Sequence, residues 1–323
     1  MENDNDTWYD CFLEALYKKY PQKSQLTEAL MDLLSIEREA VYRRLRNDVV
    51  FPANEIVKIA SSWDISLDEI LHINSPQTQL FKLLIVQYIN PSKQEFDDLQ
   101  QLINFVDNFS GSPNAEYMEV SNALPKSLVT GYPILDRYYI FKWVYQYTTD
   151  ENVLPFSQVV HFEKVRQLGL AYHKMIKRIP TVYYIWDNML FNYLVSDIKY
   201  FVSIYLITEE EKQLIKNELY ALLDYMSEVS GKGCFPETGN SVNLYISQIN
   251  IDTNYNYFYS DTIKVSRVRA FVRYEIASTN EEMATNFRNW MQLKKRSSVQ
   301  ISGVDEKRRI EFFMQQRQLI DSL

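Results

Sequence analysis

Glycine is scarce in this chain. Seven glycines and ten prolines stand among 323 residues. So few turn formers predict long helices rather than a turn-rich all-β fold. Apolar residues at 46% and aromatics at 14% supply ample material for a core. The length is too great for one ordinary domain and predicts one small and one large. The stretch Asn74-Ser75-Pro76-Gln77 holds a helix-breaking proline. It places the boundary, with one domain over residues 1–75 and a second over 78–323.

Composition also removes several classes of function. Two cysteines, Cys11 and Cys234, do not make a disulfide framework and read as reduced thiols. The first ten residues, MENDNDTWYD, are acidic where a secretory leader is basic and then apolar. The most apolar region, Tyr183 to Ile207, carries Asp187, Asn188, Asn192, Asp197 and Lys199. Such groups are costly in a bilayer, so the region reads as a buried helix. A cytoplasmic protein with no membrane partner is expected. His72, His161 and His173 show no metal-ligand spacing, and GxxxxGK[ST], GxGxxG and GxSxG are absent from the sequence. No metal, no cofactor and no enzyme are expected.

The first domain reads as five helices. Phe12, Leu13, Leu16, Tyr17 and Tyr20 recur at helical spacing before Pro21. A second helix runs over Gln25 to Leu34. After the tight Ser35-Ile36 connection, a third covers Glu37 to Asn47, with Ala40, Val41 and Leu45 inward. Pro52 opens a fourth, and Ser66 caps a short fifth. Residues 1–75 hold 8 Lys/Arg against 14 Asp/Glu, a balance of −6 within a chain of net charge −8. Positive charge gathers in one place, where Arg38, Arg43, Arg44 and Arg46 fall within nine residues.

Residues 25–70 resemble the lambda-repressor-like (Xre-type) helix-turn-helix regulators. The likeness is carried by Pro52, Ile56, Ile59 and Ala60, and by the close Ile65-Ser66-Leu67-Asp68-Glu69-Ile70. Met31, Ser35 and Glu37 stand where the family has a small residue, a turn glycine and a Ser/Thr cap. The match covers about 50 of the 323 residues. It implies that the third helix enters the major groove of double-stranded DNA. Arg38 and Glu39 would meet base edges, with Tyr42 and Arg43 one turn further on. Arg44, Arg46 and Lys58 would contact phosphates. It further implies a sequence-specific transcription regulator acting as a homodimer. The competing reading takes the same helix as a solvated face with internal pairs such as Glu39–Arg43. The module then docks a protein partner as an assembly factor, which the acidic balance favours.

Beyond residue 78 helices are predicted near 78–89, 93–109, 113–123, 134–148, 156–177, 181–206, 209–229, 280–293 and 305–320. Strands are predicted at Val242–Ile251, Tyr255–Tyr259 and Lys264–Tyr274. The expected fold is therefore mainly α: a five-helix helix-turn-helix domain, then a large helical domain with a small antiparallel β-sheet insertion. The last strand alternates, with Arg267, Arg269 and Arg273 on one face. These three form a candidate anion or ligand site, or else a charged strand that resists edge pairing. The large domain is expected to dimerise and to receive a small-molecule or peptide effector.

Overall fold

The run TVYYIWD, Thr181–Asp187, decides the architecture. β-Branched and aromatic residues favour strands, and a strand covered on both faces is apolar throughout, without alternation. In the computed structural model this run is an inner strand of an eight-stranded mixed sheet. The fold is thus α/β, which corrects the mainly-α expectation with its small antiparallel insertion. The structure describes residues 8–63, 65–70, 82–84, 93–148, 153–270 and 274–323. The chain divides into two units, Met1–Leu80 and Phe81–Leu323. Each has a core of its own.

Unit 1 holds α1 (Trp8–Lys19), α2 (Lys23–Leu34), α3 (Arg38–Leu45), α4 (Ala53–Trp63) and α5 (Leu67–Ile70). Phe12, Leu16, Leu26, Leu30, Val41 and Ile59 are fully buried among them. Phe51, in the α3–α4 loop, meets Phe12 edge-on at 5.9 Å between ring centres. The Tyr9 hydroxyl donates to the Arg44 carbonyl at 3.1 Å and accepts from the Phe51 amide at 3.2 Å. One phenol on α1 thereby fastens both ends of that loop. Ser35 closes α2 in the left-handed region at φ 55°, its amide bonded to the Met31 carbonyl, where glycine is the usual occupant.

Unit 2 is built on the strand order β1-β7-β6-β5-β2-β3-β4-β8. β1 is Lys82–Leu84, β2 Glu116–Ser121, β3 Thr181–Asp187, β4 Ser241–Ser247, β5 Tyr255–Tyr259, β6 Lys264–Ala270, β7 Tyr274–Ser278 and β8 Ser298–Gln300. β2, β3 and β4 are parallel; the remaining pairings are antiparallel. Parallel neighbours need long crossovers. α7 (Lys126–Val129), α8 (Pro133–Tyr147) and α9 (Glu163–Ile176) join β2 to β3, and α10 (Leu190–Ser203) and α11 (Glu209–Lys232) join β3 to β4. α6 (Lys93–Ser110) precedes β2, while α12 (Glu281–Leu293) and α13 (Glu306–Asp321) follow β7.

Side chains alternate across the sheet. Tyr117, Val182, Tyr184, Trp186, Leu244 and Phe258 enter the main core with α6 to α11 and α13. Met118, Val120, Ile185 and Tyr257 face the other way, onto Phe287 and Met291 of α12. Two polar devices set element boundaries, one where the sequence reads through and one that the sequence marks. Asp187 accepts from the amides of Met189 and Ile251, each at 2.7 Å. It breaks the expected 181–206 helix into β3 and α10. Thr208 and Glu211 form a reciprocal capping box that starts α11.

Other expected elements change: the 156–177 helix is a short 3₁₀ turn at Phe156–Gln158 followed by α9 from Glu163, and the Val242–Ile251 strand ends at Ser247. The 113–123 helix is β2, whose EYMEVS sequence contains good helix formers but splits its glutamates between the two faces. Of the 78–89 helix, the described part, 82–84, is strand. The 264–274 strand ends at Ala270. Phe271, Val272 and Arg273 lie outside the described residues, as do the 74–77 boundary and the side chains of Asp68 and Glu69. Among the described residues no helix is long and apolar enough to cross a membrane.

Candidate functional site

In unit 1 the residues Ser35, Ile36 and Glu37 separate α2 from α3. Val41 and Leu45 anchor α3 in the core. Its outer side carries Arg38, Glu39, Arg43 and Arg46, all exposed, and a half-buried Tyr42. Lys58 is exposed on α4. Arg46 lies 3.4 Å from Glu39 and 3.1 Å from Asp48; Arg38 reaches Glu28 at 3.9 Å. Arg43 has no ion pair among the described residues. Pairs this exposed contribute at most about 1 kcal/mol and dissolve readily in favour of a phosphate. Arg44 is different. Its guanidinium donates to Glu55 at 3.1 Å, lies over the Phe51 ring and donates to the Ala40 carbonyl. With only 15% of its side chain exposed, Arg44 braces the module and offers less of itself to a phosphate than Arg38 or Arg46.

Unit 2 holds a charged cavity between the helix-covered sheet face and α7, α8 and α9. Strand register builds it. Glu119 on β2 stands opposite Asn256 on β5, which stands opposite Arg267 on β6. One step along, the Arg269 amide bonds the Asn254 carbonyl, and Arg269 pairs with Glu275 on β7. The predicted arginine face is thus real for Arg267 and Arg269, but acids from β2 and β7 complete it. Arg267 is buried, 3.3 Å from Glu275, and packs over the Phe105 and Phe258 rings. It is not a bare anion site. Arg273 is outside the described residues. Lys126, Asp136, Tyr139 and Tyr172 supply the helical walls of a cavity of about 40 Å³.

The cavity separates its carboxyls electrically. Burial pushes Glu119 above the ordinary carboxylate range, despite hydrogen bonds to Oε2 from Tyr117 at 2.6 Å and Ser127 at 3.1 Å. Burial also opposes ionisation of Glu275, but Arg267, Lys126 and Arg269 hold its carboxyl below that range. Burial, then Glu119, drives the Tyr117 hydroxyl well up. Behind Ser127, His173 Nδ1 donates to the Ser127 carbonyl at 2.7 Å. Burial, then Lys177, brings His173 down to about 4, so it is neutral at pH 7. Asp136 faces His161, whose Nε2 lies 3.2 Å from Oδ2, off the line of a good hydrogen bond.

Two amides at the cavity are unsatisfied. Asn254 is 2% exposed and Asn256 8%. Asn254 Oδ1 accepts from the Asn122 amide at 3.3 Å, but its Nδ2, and Asn256 Oδ1, take no partner among the described residues. An unpartnered buried polar group costs about 1–3 kcal/mol. The sequence reading missed Glu119, Lys126, Asp136, Asn254, Asn256 and Glu275. Only one signal pointed to them: asparagines two apart entering a strand otherwise made of aromatics, TNYNYFY. Among the described residues no cluster of His, Cys, Asp and Glu is arranged to hold a metal. No protein-family model, curated protein or solved structure matches the chain.

Proposed function

We propose that the protein is a cytoplasmic, sequence-specific DNA-binding transcription regulator that works as a homodimer. Unit 1 reads the major groove through α3, and unit 2 receives a signal. The observation that supports this most is the outer side of α3. Arg38, Glu39, Tyr42 and Arg43 lie on a short helix whose opposite side is core, Arg46 follows its last residue, and the arginines among them are exposed. Arginine pairs bidentately with guanine and adds roughly 1–3 kcal/mol of discrimination per contact. Arg38, Tyr42 and Arg43 are the base-reading residues of this proposal, and Arg46 and Lys58 the phosphate contacts.

Selection of bound duplexes from a random pool tests it. One enriched palindrome is expected, with half-sites about one helical turn apart and affinity that falls steeply as salt rises. The Arg38→Ala, Arg43→Ala double variant is expected to lose specific binding; unchanged specific binding would sink the assignment of α3.

A second reading, a module that docks a protein partner, has one observation in its favour. Arg38, Arg44 and Arg46 each already face an acid, within a unit that is acidic as a whole. No enrichment from the pool, together with salt-insensitive retention of a protein partner, would favour it.

A further inference from the structure

We propose that the basic turn after α12 is a second, sequence-independent contact for the phosphate backbone of duplex DNA. This rests on the reading of the protein as a DNA-binding regulator, and it gives unit 2 a share of the DNA contact.

The turn is the 3₁₀ segment Lys294–Ser297, KKRS, which directly follows α12. It sets three cations in a row on a chain of net charge −8. Rings, not acids, hold the two lysines. Lys294 Nζ lies 4.6 Å from the centre of the Trp290 ring. Lys295 Nζ lies 3.6 Å from that of Tyr183 on β3 and 5.6 Å from that of Tyr245 on β4. Arg296 is exposed. Among the described residues none of the three has an ion pair. A ring face attracts an ammonium without neutralising it. The lysines thus give up rotamer freedom before a ligand arrives, and their charge stays uncompensated.

Two structural uses of these cations are taken by other groups. Basic side chains at a helix C-terminus can bond the last carbonyls. Here the Ser297 and Ser298 hydroxyls donate to the Lys294 carbonyl at 3.1 and 2.9 Å, and the Ser298 amide donates to the Lys295 carbonyl. Burial lowers the Lys295 ammonium from its ordinary value; Glu116 opposes this and Arg288 adds to it. Glu116 is already engaged, by Arg288 at 3.0 and 3.2 Å and by Gln292 at 3.1 Å. The basic run of α13 differs. Lys307, Arg308 and Arg309 lie 3.9, 3.4 and 3.9 Å from Glu311, Asp305 and Glu306, so a phosphate arriving there meets carboxylates. Lys294, Lys295 and Arg296 sit on a single turn rather than on a helix or ribbon that fits a groove, so they grip backbone and read no bases. A duplex held by unit 1 is tethered to the same chain, and even a weak second contact then adds to affinity.

The test measures binding of the full chain to its selected duplex and to a random duplex across a salt series. The triple variant Lys294→Gln, Lys295→Gln, Arg296→Gln should lower the salt slope on both duplexes by roughly two to three units and leave the selected sequence unchanged. Arg296→Gln alone, at an exposed side chain, should lower it by about one unit with Tm unchanged, so the result does not depend on the triple variant folding. Lys294→Arg, which keeps the charge, should keep the parent slope. Lys307→Gln with Arg308→Gln should lower the slope by less per charge removed. An unchanged slope in the triple variant or in Arg296→Gln, an equal fall per charge in the α13 variant, or no duplex binding by the parent would overturn the proposal. So would an unchanged DNA slope with lysine-dependent retention on phosphatidylcholine–phosphatidylserine vesicles, which would assign the turn to a membrane surface. Loss of sequence selection with this salt behaviour intact would count against α3 instead, so the two failures are distinct.

Discussion

Two arginine clusters stand out in this chain, and folding treats them in opposite ways. On α3 of unit 1, Arg38 and Arg46 meet acids across solvent, with more than half of each side chain exposed. On β6 of unit 2, Arg267 is 7% exposed, pinned to Glu275 between aromatic rings. The same residue type is a weakly held, displaceable cation in one place and a structural charge in the other. Desolvation makes the difference, because a buried charge is tolerable only when paired. A helix surrounded by water leaves its arginines available to a phosphate. A strand inside a sheet spends them on the neighbouring strand.

That contrast sets a graded series of outcomes. The largest is Arg267→Ala, which removes the hydrogen-bonded partner of Glu275 and leaves it only Lys126 and Arg269, and it is expected to cost about 3 kcal/mol in urea unfolding of unit 2. A loss no greater than that of a surface substitution would erase the distinction between the clusters. Next comes the pH dependence of the buried region. His173 falls from 6.5 in the unfolded chain to about 4 when folded. Between those values the unfolded chain holds the extra proton, so stability present above pH 6.5 is lost as pH drops toward 4. The loss amounts to about 3 kcal/mol. His173→Gln should flatten that slope in thermal unfolding measured from pH 7 to pH 4. Arg44→Ala, half-way in burial, is expected to cost about 1–2 kcal/mol of unit 1 stability, seen as a lower Tm. The smallest effect belongs to Arg38→Ala with Arg46→Ala, within about 0.5 kcal/mol of the parent by the same measurement. Any larger loss there would place α3 among the structural helices and weaken its reading as a groove helix.

The helices with strong local grammar were legible from residues alone. Thr208 before three glutamates foretold α11, and the Leu26, Leu30, Leu33 stripe foretold α2. The parallel strands were not. TVYYIWD is apolar on both sides of the pleat and carries no period to separate it from the helix that follows. EYMEVS hides a buried carboxyl, Glu119, that no local pattern marks as interior. The α3 side chains could be placed from helical spacing because their positions depend on one element. The cavity could not, since Glu119, Asn256, Arg269 and Glu275 come from four strands whose register no local pattern sets. The strand alternation correctly put Arg267 and Arg269 on one face. The acids opposite them were invisible because they lie across the ladder rather than along the chain.

The margins of the sheet carry a last implication. β1 and β8 end the strand order on its two sides, and each is three residues long. Short borders expose few unpaired amides and carbonyls. The long inner strands are thereby shielded from another chain zipping alongside them. Among the described residues, the sheet therefore offers another chain little backbone to pair with at either border.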